Sequence, residues 1–178
     1  MNWRWKITAN WDASLGYGYT DAKFKNICDS VYASIIGLTV AAQVAPCISP
    51  AGVAPVSSVA GFQTANAPKN TLNTGVEFGT PINDRWKFFV RTDYSYQGQR
   101  FAEVYNQAST GASSRIDARL GVQGKAWRVT AWAKNLGDDR SPDSVVRFFD
   151  PDSPGFNRAF QVHFPNGRTL GMTATYDF

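Results

Sequence analysis

Apolar and polar residues alternate along much of this chain, and the alternation defines its elements. From Trp5 every second residue is apolar or aromatic: Trp5, Ile7, Ala9, Trp11, Ala13, Leu15, Tyr17, Tyr19. Between them stand Lys6, Thr8, Asn10, Asp12, Ser14, Gly16 and Gly18. A period of two sorts side chains onto opposite faces of a β-strand. This run far outlasts the roughly 5–6 residues usual in soluble strands. The same period returns at 72–78, 86–96, 116–122, 127–133 and 170–178, with Phe89 the one break in the polar phase. The pattern predicts about six strands, near 4–20, 70–79, 86–97, 115–124, 127–135 and 168–178.

The connections alternate in length. Short turns follow residues 79 and 124, whereas 21–69, 98–114 and 136–167 are long. Tight turns join antiparallel neighbours, so the expected fold is all-β with up-and-down antiparallel strands. Short turns at one end and long loops at the other are the habit of outer-membrane barrels. Aromatic residues mark the strand ends. Trp5, Trp86 and Trp127, with Tyr176 and Phe178, fall at the short-turn end. Tyr17, Tyr19, Tyr94 and Tyr96 fall beside the long loops. Amphipathic rings prefer the headgroup level, so these residues are expected to form two membrane-interface belts. Trp86 to Tyr96 is ten steps of about 3.3 Å. Tilted by about 40°, that run projects to roughly 25 Å, the height of the apolar band on such barrels. A soluble β-sandwich would instead place its rings at the centre of a core.

Composition sharpens this picture. Aromatics make up 14% of the 178 residues and charged residues only 18%. A mean hydropathy of −0.30 excludes a bundle of membrane helices but not a barrel, whose strands show lipid only every second side chain. The net charge is +4, yet Lys and Arg are scattered singly, with no basic run to track nucleic-acid phosphates. Cys28 and Cys47 lie within one long connection. They either close it as a disulfide, which suits an oxidising compartment, or stand as two unpaired small hydrophobes. Residues 30–68 carry no charge, but Pro46 and several polar residues interrupt the run short of a membrane helix. It is expected to be a long extracellular loop, with room for a short helix over the barrel mouth.

Catalytic and metal chemistry finds no pattern. His163 is the only histidine and sits in an alternating aromatic arm (Phe160, Val162, Phe164), which predicts a short hairpin. A barrel hydrolase would need a base paired with a nucleophile and an orienting group. No spacing of Ser, Asp and His singles out such a set, and no metal cluster or phosphate-cradling loop is evident. The expectation is a non-enzyme with no cofactor.

Several segments resemble TonB-dependent receptors. Gly16-Tyr17-Gly18-Tyr19-Thr20-Asp21-Ala22-Lys23-Phe24 is similar to a strand end before a long extracellular loop, and a cysteine pair in that loop recurs in the family. Asn66-Ala67-Pro68-Lys69-Asn70-Thr71 resembles re-entry into the next strand. Ala133-Lys134-Asn135-Leu136-Gly137-Asp138 resembles the Asn-Leu motif at the top of the penultimate strand, and Gly167-Arg168-Thr169-Leu170-Gly171 the start of the last. Leu170, Met172, Ala174, Tyr176 and Phe178 resemble a carboxy-terminal barrel-assembly signal. Gly137 departs from the Thr or Ser commoner there. Six strands cannot close the family's 22-strand barrel, and no plug, TonB box or signal sequence is recognisable.

The resemblance therefore implies the C-terminal part of a larger receptor for energy-coupled uptake of a scarce nutrient such as an iron–siderophore complex. The partners it implies are outer-membrane lipid, the barrel-assembly machinery, the remaining barrel and plug, the TonB energy-coupling protein through that plug, and a small-molecule ligand. Trp132, on the polar phase with Arg128 and Lys134, is a candidate ligand contact, as are Arg147 and Arg158 in the last loop. The alternatives are a structural or adhesive β-domain and a small porin-like barrel.

Overall fold

The computed structural model describes residues 1–149, 152 and 158–178. Seven strands form one antiparallel sheet: β1 (Asn2–Lys6), β2 (Trp11–Tyr19), β5 (Asn70–Pro81), β6 (Lys87–Gln97), β7 (Ser113–Gln123), β8 (Trp127–Lys134) and β11 (Thr169–Tyr176). Their order across the sheet is the chain order. The long connections carry only small additions: a ribbon of β3 (Cys28–Asp29) and β4 (Ser57–Ser58), helix α1 (Ser30–Ile35), a 3-10 turn at Val40–Ala42, and a hairpin of β9 (Ser144–Phe149) and β10 (Arg158–His163). Among the described residues no helix is long and apolar enough to cross a membrane. The long loop expected over 136–167 includes 150, 151 and 153–157, which lie outside the described residues.

One expectation is corrected. Residues 4–20 form a hairpin of β1 and β2, with Trp5 opposite Ala13 and Lys6 opposite Asp12. Ile7 N–H donates to the Trp11 carbonyl (2.8 Å) and Thr8 Oγ1 accepts from Asn10 N–H (3.2 Å), which closes the turn. The sheet therefore has one strand more than the expected six. Trp11 stands at the short-turn end of β2, against Phe78 at 4.9 Å between ring centroids.

Register carries the alternation unbroken across the sheet. Leu15 faces Thr74, Thr74 faces Tyr94, Tyr94 faces Ile116, and Ala118 faces Ala133, which faces Leu170. One face is thus apolar from edge to edge, and a one-residue slip anywhere would invert it. That face has no protein cover. Leu120 is 52% exposed, Met172 75% and Ile7 62%, while Val90 and Val129 are half-buried only by their sheet neighbours. The buried apolar residues are Phe89 on the opposite face, and Ala33, Cys47, Val59, Tyr105 and Val145 in the loops. A soluble sandwich would bury this face against a second sheet. Here no described layer does so.

Candidate functional site

The opposite face of the same strands is polar and holds all their charge. Lys and Arg contribute eight cations there: Arg4, Lys6, Lys87, Arg91, Arg115, Arg119, Arg128 and Lys134. Four carboxylates accompany them: Asp12, Glu77, Asp93 and Asp117. The apolar face of the seven strands carries none. Cross-strand register sets Asp93 opposite Asp117 and Arg91 opposite Arg119, two like-charge pairs that repel. The diagonal arrangement offsets this: Arg91 Nη2 binds Asp93 Oδ1 at 2.7 Å, Arg91 Nη1 binds Glu77 Oε2 at 3.2 Å, and Arg119 lies 3.9 Å from Asp93.

Glycines let these groups lie flat on the sheet. A side chain at Gly75 would meet Asp93 Oδ1 at 2.7 Å and Arg91 Nη2 at 3.1 Å. Phe89, the break in the polar phase, lies over its cross-strand partner Gly121 and under the Arg128 guanidinium, 5.0 Å from the ring centre. Trp132 likewise covers its partner Gly171, donates from Nε1 to Thr173 Oγ1 (3.2 Å), and has Lys134 Nζ 5.5 Å from a ring centre. Two hollows result side by side, of about 530 and 580 Å³. The first is lined by Arg4, Arg91 and Asp93, the second by Phe89, Arg119, Arg128 and Trp132, and both touch Asp93 and Asp117.

At the long-loop end, Asn135 (4% exposed) closes the strand tops. Its amide nitrogen donates to the carbonyls of Asp139 (2.9 Å) and Asn166 (3.1 Å), its Oδ1 accepts from Asp139 N–H (2.8 Å), and its own N–H donates to Asp117 Oδ1 (2.9 Å). Asp138 accepts from Arg168 N–H (2.8 Å) and Arg140 Nε (3.0 Å), and these bonds hold its carboxyl below the usual range. Asp139 has burial working against ionisation, but hydrogen bonds from Ser141 and Ser114 outweigh it and its value is lowered.

The three long loops interlock. Cys28 and Cys47 are joined as a disulfide, Cα to Cα 5.4 Å. Asp29 caps α1 by accepting from Tyr32 N–H (2.6 Å). Gln43 Oε1 accepts from Ser49 N–H, Ser49 Oγ and Val56 N–H. Tyr32 stacks on Tyr105 of the second loop, 5.9 Å between ring centres, and Asn106 exchanges hydrogen bonds with Gln63. Arg147 of β9 lies over the Tyr105 ring (5.1 Å) and reaches Glu103 (3.0 Å). Burial raises the Tyr105 phenol above its ordinary value. Arg100 and Arg115 both bind Asp143.

The residues singled out by sequence are therefore dispersed. Trp132 is on the polar face beside Arg119, Arg147 is built into the loop assembly, and Arg158 is exposed at the start of β10. His163 is exposed and pairs with Ser144 in the β9–β10 hairpin. Trp86 lies against Gly124, and Trp127, Tyr176 and Phe178 form a ring cluster at the short-turn end (4.7 and 5.1 Å). Trp5 lies one apolar position further from the turns than Trp11. Tyr17 and Tyr19 end β2, and Tyr94 and Tyr96 lie near the end of β6, all at the long-loop end. Leu170, Met172, Ala174 and Tyr176 hold the apolar phase of edge strand β11. Sequence reasoning missed the glycine hollows under Phe89 and Trp132. The signal available was an aromatic residue in the polar phase facing a glycine. No group of three or more metal-ligating side chains occurs among the described residues.

A sheet apolar on one face, charged on the other and open at both edges is an arc of barrel wall. Residues 1–136 match the family model "TonB dependent receptor-like, beta-barrel", and the chain belongs to that family. Among solved structures it is similar to the ferric yersiniabactin uptake receptor FyuA from Yersinia pestis, with a TM-score of 0.69 at 15% identity. That match covers 98% of this chain and 22% of the receptor. No curated protein matches in sequence.

Proposed function

We propose that this chain is wall and mouth of an outer-membrane receptor that imports a scarce nutrient, an iron–siderophore complex first among candidates, with energy supplied through TonB. The observation that carries the reading is the complete segregation of charge. Twelve ionised groups lie on one face of seven strands and none on the other, as hydrocarbon outside and water inside require. The short turns then lie in the periplasm and the long loops outside, where loops 20–69, 98–112 and 135–168 frame the ligand entrance. Trp86, Trp127 and Trp5 would mark the inner headgroup boundary, with Tyr17, Tyr19, Tyr94 and Tyr96 at the outer one. Strand β11 with Phe178 would present the assembly machinery with its edge. The remaining strands and a plug would come from the rest of the receptor. The structurally similar receptor takes up ferric yersiniabactin, which supports testing ferric siderophores first.

The test is uptake of labelled ferric siderophores by iron-starved cells with and without the full-length receptor. The expected result is saturable uptake that stops when the TonB protein is deleted. Unsaturable uptake independent of TonB would mean a porin-like barrel, and no uptake with retained cell-surface adhesion would mean a structural domain. Either result overturns the reading.

A further inference from the structure

The β6–β11 part of the polar face has an excess of cations that its own carboxylates do not absorb. Asp93 is engaged by Arg91 and Asp117 by the backbone of Asn135. Among the described residues no carboxylate lies within ion-pair distance of Arg128 or Lys134, which instead stand over the rings of Phe89 and Trp132. Arg119 has only the 3.9 Å approach of Asp93, which Arg91 already holds. The rings themselves are folded down onto Gly121 and Gly171, so the wall offers a broad trough rather than projecting side chains. The two hollows share Asp93 and Asp117 and run on from β1 to β11, an extent that fits a folded surface better than one small molecule.

We propose that the surface around Arg119, Arg128 and Lys134 docks an acidic protein segment, presented inside the barrel by the rest of the receptor. The proposal rests on the receptor reading above and adds the chemistry of the partner. Two observations select that occupant. The wall is net positive, so a carboxylate-bearing face complements it. The chain also spans only 22% of the structurally similar receptor, so a receptor of that size has ample further chain to fill the space. Cations seated on aromatic faces are partly desolvated already, which strengthens each contact with an arriving carboxylate.

The test uses the full-length receptor in outer-membrane vesicles, with a photo-crosslinking amino acid at Thr130 or Thr175, which line the trough. Crosslinks should map within the same chain to a segment containing Asp or Glu. Arg119→Glu combined with Lys134→Glu should lower their yield by about tenfold, as loss of a charge-assisted contact predicts. Arg119→Lys should retain most of it. Heat-modifiable migration on gels confirms that each variant still forms a barrel. Crosslinks to a segment without carboxylates, crosslinks unchanged by charge reversal, or protection of the trough only by an added anionic ligand would each overturn the proposal. TonB-dependent uptake by the unmodified receptor is measured separately. Its absence would sink the transport reading while leaving the crosslink map to decide this one.

Discussion

Asn135 ties β7, β8 and the segment entering β11 together through one amide side chain and one backbone N–H. Four hydrogen bonds converge on it at 4% exposure, so removing the amide leaves the Asp139 and Asn166 groups without partners. Asn135→Ala is expected to destabilise this junction by about 2 kcal/mol. Hydrogen exchange of residues 135–141 in the full-length receptor measures it; unchanged protection would refute the role. The neighbouring Asp138 adds a pH dependence. Its folded-state value is depressed, so its contribution is complete above the ordinary value of 3.8 and fades as pH falls through the lower folded one. The Arg168 amide should therefore keep its protection, corrected for intrinsic rate, from about pH 7 to pH 5 and lose it only in stronger acid. Glycine sets a third residue-scale limit. At Gly121 any side chain would strike the Val129 carbonyl and the Phe89 ring. Gly121→Val should thus lower barrel stability, and Phe89→Ala should relieve only the ring part of that clash.

At the scale of elements, the loop disulfide and the strand sheet are separable. Cys28 and Cys47 are 19 residues apart, and in the chain-entropy model closing such a loop contributes about 3 kcal/mol. Replacing both with Ser should expose residues 21–69 to protease while strands β5 to β8 remain protected, since the bond lies wholly within one loop. Cleavage that spreads into the sheet would show the loop to be part of its foundation. The strands themselves were legible because alternation is a local signal and lipid-facing walls impose it strictly. The β1–β2 turn was not, because Ile7 and Ala9 continue the period of two through the reversal and no Gly or Pro punctuates it. A bond such as Thr8 Oγ1 to Asn10 N–H leaves only a polar pair in the sequence. The interlocked loops were illegible for another reason. Tyr32, Tyr105 and Arg147 are brought together by long-range packing, and nothing local to any of them announces the stack.

For the whole molecule, the decisive property is that both solvents are written into one sheet. Exposure of Leu120 at 52% would be a liability in water, where an uncovered apolar sheet aggregates, but in hydrocarbon it is the satisfied state. Backbone groups at the open edges β1 and β11 have no such refuge, so stability in a membrane requires further strands on each side. These conditions make opposite demands on the two faces, and a pair of matched substitutions separates them. Leu120→Arg puts a charge on the apolar face and is expected to cost about 2–4 kcal/mol near the bilayer centre. Asn73→Arg adds the same charge at an exposed position on the polar face and should cost little. In the full-length receptor, the first variant should lose heat-modifiable barrel from the outer membrane while the second accumulates normally. Equal tolerance of both would mean that the apolar face meets water or protein rather than lipid, and the barrel assignment of these strands would fall with it.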